Sequence, residues 1–173
     1  LYIAPLLGLR QCRQIIGEYQ LTLGDLVVGR KFSDCIGYIQ AHYDNHAYDY
    51  ENESDEAVLW VWLLGKWQEV IGCEVPYRCL VPKDVEGLLV ACRGTSMTVD
   101  AHYAFRMMPE MQQIGEVAGI ASALCVKHGV MPRMLDVRLL QDELRKRGML
   151  DNKYRPRPLI SERPLSELKE LLL

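Results

Sequence analysis

The chain has 173 residues, and 20 Lys and Arg side chains against 23 Asp and Glu give it a formal net charge of −3. This balance excludes a strongly basic nucleic-acid-binding protein, and 49% hydrophobic with 25% charged residues exclude a disordered or collagen-like chain. No apolar run approaches the roughly 20 residues of a membrane-spanning helix, so neither nucleic acid nor a membrane is an expected partner. The length predicts a compact domain with its own hydrophobic core.

The first third of the chain divides into an extended segment and a short helix. Residues 8–21 are predicted to be extended, with Gly17 at a bend or a close approach. Thr22 and Asp25 have the spacing of a capping box, which predicts a helix from this point to about Ser33.

Residues 42–56 are acidic and lack periodicity, so we expect a loop there. Two histidines and an aspartate within residues 42–46 suggest a metal site. However, His102 and His128 have no matching spacing, and we favour the loop without a metal. The three tryptophans that follow lie in a β-prone stretch that ends near Pro76: Trp60, Trp62 and Trp67.

The second half of the chain has clearer patterns. A proline-bounded connector at 75–84 precedes the apolar run 87–91, which predicts a short buried strand, and a loop is expected from there through Arg106. Residues 112–128 predict the clearest helix, ended by Gly129, and its many small residues allow either close packing or a flat ligand.

The end of the chain predicts one more helix and a tail. Asp136 caps a helix with Val137, Leu140 and Leu144 on one face, closed by basic residues and Gly148. The proline-containing residues 151–163 should lie extended over the surface, before a final helical turn or two.

The cysteines contain no Cys-x-x-Cys pair, and several lie in apolar segments where a thiol packs as a small hydrophobe. We therefore expect reduced, structural cysteines: Cys12, Cys35, Cys73, Cys79, Cys92 and Cys125. The sequence starts at Leu1 without a signal-peptide pattern, which suggests a cytoplasmic protein whose N-terminus was removed or a piece of a longer one.

Residues 76–93, PYRCLVPKDVEGLLVACR, resemble the segment PYRCLVPKDVENLLVAGR of a family of FAD-dependent oxidoreductases. Further stretches are similar to that family in the same order, over about residues 3–150: residues 8–19, 43–46, 106–119 and 137–148. The resemblance implies an α/β fold, with a Rossmann-like FAD-binding domain of the glutathione-reductase type and an inserted substrate domain. Only the C-terminal part is represented, since the N-terminal dinucleotide fingerprint is absent.

The resemblance also implies a domain division and a site. Residues 1–75 would be the end of the substrate domain, 76–150 the C-terminal strand and helices of the FAD-binding domain, and 151–173 a tail with a short terminal helix. The implied flavin-binding residues are Ala91, Cys92, Arg93, Ser96, Arg106, Met108, Gly115, Glu116, Val117 and Ala118. Asp44 and His46 would lie on the substrate side, and no catalytic residue is assigned.

We expect backbone N–H groups at a helix start over 115–118 to contact the flavin, since a helix N-terminus stabilises an anion. Arg93 would border the flavin or instead bond loop carbonyls. The chain departs from the family in having Cys92 for a glycine and Glu116 for a glutamine, and in the loop 96–106, which lacks the family's His-Glu pair. Glu116 is expected in the first helical turn, beside the flavin.

The resemblance therefore implies a subunit or fragment of an FAD-dependent oxidoreductase acting on a small molecule. It would complete the flavin pocket with a separate chain that carries the fingerprint. The alternatives are a degenerate, non-catalytic structural subunit that no longer binds flavin, and an inert truncated remnant. A homo-oligomer is the alternative to the separate chain, since a partial domain leaves apolar faces uncovered.

Overall fold

The computed structural model describes residues 11–44, 54–65 and 70–151. The predictions for His46, Trp67 and the tail from residue 152 onward lie outside these residues. In the described part of the chain, no helix is both long enough and apolar enough to cross a membrane.

The sheet has two antiparallel strands, β1 (Cys35–Ala41) and β2 (Ile71–Pro76), with a bulge near the start of β1. The β-prone stretch was predicted to end near Pro76, and β2 confirms that end. The stretch containing Trp60 is instead helical: α2 (Asp55–Ala57) continues as a π-helix, Val58–Leu63. The Ser54 side chain accepts a hydrogen bond from the Ala57 N–H, and this cap starts a helix against the β propensity of the following residues.

The capping box at Thr22 is confirmed, and α1 (Leu23–Val27) begins there. The predicted extension to Ser33 is wrong. Gly29 has φ 61°, and the Arg30 N–H bonds the Asp25 carbonyl, which ends the helix one turn after it begins. The close approach at Gly17 is also confirmed, because a Cβ there would lie 2.7 Å from Ser96 Cβ.

Three further helices follow: α3 (Val99–Phe105), α4 (Met108–His128) and α5 (Val137–Lys146). Single 3-10 turns lie at Tyr77–Cys79, Cys92–Gly94 and Pro132–Met134. The predictions of α4, with Gly129 as its left-handed cap, and of α5, with Asp136 as its N-cap, are confirmed.

Two predictions between β2 and α4 are wrong. Residues 97–106 are not a loop, because the Thr98 side chain caps α3. Residues 87–91 form no strand. Gly87 has φ 71°, Val90 N–H bonds only the Leu80 carbonyl, and Leu88 is 44% exposed. An apolar run needs a neighbouring strand to form a ladder, and none lies beside it in the described part of the chain.

The helices and the sheet share one hydrophobic core. The helices α3, α4 and α5 pack on β1, and α1 packs on β2. Four of the six cysteines are buried as free thiols in this core, as predicted, and Cys12 and Cys92 are exposed. The described part is thus a mixed helical and β body, compatible with an α/β fold.

Candidate functional site

Cys92 holds an unusual backbone conformation at the position where the resembling family has glycine. Its φ is 62°, and among the described residues it is the one non-glycine residue with a positive φ. A side chain in this left-handed region costs about 1–2 kcal/mol. The turn therefore keeps the shape that a glycine would adopt without strain, and the exposed thiol side chain stands on its surface.

Arg93 has one of the two roles that the sequence left open, a bond to a backbone carbonyl. Its Nη2 donates to the Arg106 carbonyl oxygen at 3.4 Å, as a structural arginine would. Its Nε is buried and has no hydrogen-bond partner. A buried guanidinium N–H without an acceptor costs free energy. An acceptor from outside the described residues would remove this cost by bonding the Arg93 Nε.

Arg106 and Asp44 lie together, although they are far apart in the sequence. The Arg106 Nη2 donates to the Asp44 carbonyl oxygen at 2.6 Å and lies 3.8 Å from its carboxylate. The guanidinium also stacks over the Tyr103 ring at 4.9 Å, and the Asp44 N–H bonds the Tyr103 carbonyl. The side chain of Arg106 is 5% exposed, so it connects the segment before residue 45 to the end of α3.

Ser96 is fully buried. Its hydroxyl accepts a hydrogen bond from the Gly17 N–H at 2.9 Å, and its carbonyl accepts from Leu21 N–H. Its side chain therefore holds the N-terminal segment against the turn that precedes α3, and it is not directed at an exposed surface.

The helix α4 begins about one turn before the predicted residue 112, and about two turns before residue 115, where the helix start beside the flavin was expected. The helix begins at Met108, which is 74% exposed, and the N-cap Met107 supplies no side-chain hydrogen bond. The available N–H groups therefore belong to the turn at Met108, where they can bind an anion. The N–H groups of residues 115–118 lie inside the helix, bonded to carbonyls four residues back, so the predicted flavin contact through them is wrong. Glu116 is likewise not in the first turn.

The outer face of α4 is open and almost uncharged. A Cβ on Gly115 or Gly119 would meet no atom within 4 Å, and Val126 is 85% exposed. Over residues 108–126, Glu116 is the one exposed charged side chain, whereas Val117 on the other face is fully buried. A helix face that normally meets water carries charged residues, as the outer face of α5 does. The composition of α4 is that of a helix covered on both sides.

Two buried polar residues were not singled out as site residues from the sequence. His102 is fully buried and neither ring nitrogen has a hydrogen-bond partner. Burial lowers its pKa to about 4, helped by the charges of Arg106 and Arg93 and opposed by the nearby Arg93 backbone. Glu110 is also buried, which raises its pKa. The signals that would have placed both residues on helices were the Thr98 cap and Pro109 in the first turn of α4.

No metal centre emerges from the geometry. Across residues 11–44, 54–65 and 70–151, no three His, Cys, Asp or Glu side chains converge as metal ligands would.

A family model described as FAD dependent oxidoreductase matches residues 2–144, which is most of the chain. No curated protein and no solved structure matches the chain. On the extent of the family match, the chain belongs to the FAD dependent oxidoreductase family.

Proposed function

We propose that this chain forms one wall of the FAD pocket of an oxidoreductase that acts on a small molecule. It would complete that pocket together with a separate chain that carries the dinucleotide fingerprint. The 173 residues contain no Gly-x-Gly motif, so the phosphate-cradling turn of the family must come from other residues. The observation that carries this proposal is the open, almost uncharged outer face of α4.

The residues at the start of α4 fit a flavin. The first turn of α4 has no side-chain cap. Pro109 contributes no N–H, but the Met108 N–H and the partial positive charge of the helix start suit the anionic edge of a reduced flavin. The buried Arg93 Nε needs an acceptor, and the backbone at Ala91 and Cys92 keeps a glycine-like turn. FAD bound there would supply the two-electron chemistry of the reaction.

The small residues of α4 would give the flavin and the fingerprint-bearing chain a close approach. Gly115 and Ala118 would lie under the bound group, and Gly119 further along would allow backbone contact. On the substrate side, the Asp44–Arg106 pair would hold the segment leading to His46 in place. The division of the chain at residues 75 and 76 into parts of a substrate domain and a Rossmann-like FAD domain remains part of this proposal.

The alternative is a structural subunit that no longer binds flavin. Two observations favour it: the Cys92 side chain stands on the surface that the flavin would approach, and Glu116 adds a negative charge to the same helix face. In this case the outer face of α4 would contact another protein, or a second copy of the chain, without a cofactor between them.

A titration of the full chain with FAD, followed by flavin fluorescence, tests the proposal. We expect binding by the wild type, and about tenfold weaker binding after Gly115→Val, because the branched side chain would occupy the open space over the helix. The control is Lys127→Val, an exposed position at the end of the same helix.

Equal FAD affinity of the Gly115→Val variant and the wild type would show that the pocket lies elsewhere. If the chain alone binds no FAD, the complex purified from its own cells decides between the two functions. A yellow complex whose second chain contains Gly-x-Gly-x-x-Gly supports the flavin wall, whereas a colourless complex supports the structural subunit.

A further inference from the structure

A groove runs between the outer edge of β1 and the first half of α4, and it has a volume of about 620 Å³. The edge of β1 is covered by side chains instead of a third strand. The Tyr38 N–H bonds Gln113 Oε1 and the Gln40 N–H bonds Glu110 Oε1, both at 3.3 Å. The groove is therefore bordered by the strand backbone on one side and by polar helix side chains on the other.

Glu110 is a buried carboxylate in which only one of the two oxygens accepts a hydrogen bond. The residue is 6% exposed and lines the groove, yet its Oε2 has no hydrogen-bond partner. A buried carboxylate oxygen without a donor is expensive, because it has lost water and gained nothing in return. A donor that enters the groove would remove this cost.

The charge of the groove is negative. Its lining contains two carboxylates, Glu110 and Glu116, together with amide and phenol groups, and none of the described residues that line it is basic. A metal ion would need three or more converging ligands of suitable type, and the described residues contain no such group. A ligand with several N–H donors and a positive charge fits better, because its donors complement carboxylate oxygens.

We propose that this groove is a binding site for an organic cation, a guanidinium or a primary ammonium group, held by Glu110 and Glu116. The N–H donors of the cation go to the free oxygen of Glu110 and to the Glu116 carboxylate. Its apolar stem lies against Tyr38 and Met149, which line the same groove. The site shares Glu116 with the helix face proposed for the flavin, but its test uses no flavin.

The cation has two possible sources with the same chemistry. One is a free ligand or substrate. The other is the chain itself, because Lys153, Arg155 and Arg157 follow Asp151 in the sequence. The backbone N–H and carbonyl of Asp151 both bond the Tyr38 hydroxyl, at 3.1 and 3.0 Å, so Asp151 lies beside Tyr38, one of the residues that line the groove.

Calorimetric titration of the full chain with Nα-acetyl-arginine amide (arginine amide) tests the site. Nα-acetyl-citrulline amide (citrulline amide), whose blocked α-amino group leaves it uncharged, is the neutral probe of nearly the same shape. We expect saturable binding of arginine amide and no binding of citrulline amide. Glu110→Gln keeps the acceptor for Gln40 and removes the charge, so it should weaken arginine amide binding about tenfold or more. Glu116→Gln, at an exposed position that cannot disturb folding, should weaken it in the same direction. Asp84→Asn, exposed and outside the groove, should leave the affinity unchanged.

A variant with Lys153, Arg155 and Arg157 all replaced by glutamine identifies the source. Tighter arginine amide binding by this variant assigns the site to the chain's own basic residues, and unchanged binding assigns it to a free ligand. Equal binding of arginine amide and citrulline amide, no binding of either by this variant, or full affinity in both glutamate variants would overturn the proposal.

Discussion

Cys92 offers the sharpest test at the scale of single residues. Its left-handed backbone costs about 1–2 kcal/mol, whereas glycine would adopt it freely and lose about 0.5–1 kcal/mol through greater freedom of the unfolded chain. We therefore expect Cys92→Gly to raise the free energy of unfolding by about 0.5–1 kcal/mol in urea denaturation. Cys12→Gly is the matched control, because Cys12 is also exposed but has no positive φ. A loss of stability in both variants would contradict the strained turn.

His102 makes the stability of the chain depend on pH. Its pKa is lowered from 6.5 to about 4, so the unfolded chain binds a proton at a pH where the folded chain does not. The contribution of His102 is present above about pH 6.5 and is lost as the pH falls towards about 4. We expect His102→Leu to flatten this part of the stability profile, since leucine carries no group that titrates.

Denaturation midpoints between pH 4 and pH 8 measure the effect. His128→Gln is the control, because His128 is exposed at the end of α4. If wild type and His102→Leu lose stability in parallel over this range, another group causes the acid sensitivity.

At the scale of elements, local signals predicted the structure where they did not depend on distant residues. Asp136 and Gly129 mark helix ends through bonds within their own turns, and both were correctly identified. The run 87–91 was mistaken because a strand needs a neighbour that the pattern cannot reveal. Residues 97–106 were mistaken because the expectation of a loop hid the cap at Thr98.

Two glycines in different surroundings should respond oppositely to the same substitution. Gly119 lies within α4 and faces open space, so Gly119→Ala should raise the free energy of unfolding of the chain by about 0.5–1 kcal/mol through helix propensity. Gly17→Ala should lower it by more than 1 kcal/mol, about the loss of one well-made contact, because the new Cβ would lie 2.7 Å from Ser96 Cβ. Chemical denaturation of both variants measures the contrast. A loss of stability in Gly119→Ala would mean that this face of α4 is already packed.

At the scale of the whole molecule, the candidate site was only partly predictable. The family resemblance singled out Arg93 and Arg106, but the contact of Arg106 with Asp44 arises from the packing of α3 on β1. The residue at which a helix starts likewise depends on how the rest of the chain packs. The helix start at Met108, and with it the position of the available N–H groups, therefore differed from the prediction at residues 115–118.

The exposed face of α4 should also determine how the isolated chain behaves in solution. Val126 is 85% exposed and Met131 is 56% exposed, and both line a cavity of about 330 Å³ at the end of the helix. Apolar surface of this kind promotes self-association when nothing else covers it. We expect the purified chain to sediment as a concentration-dependent oligomer and to bind a hydrophobic dye.

The Val126→Lys substitution should shift the chain towards the monomer. It should not change the free energy of unfolding by more than about 0.5 kcal/mol, since the residue makes few contacts to lose. The control is Val85→Lys, which changes another exposed valine, 50% exposed and outside the residues that line this cavity, to the same cation. A monomer at all concentrations, or the same shift from both lysine variants, would mean that the face of α4 is not a contact surface.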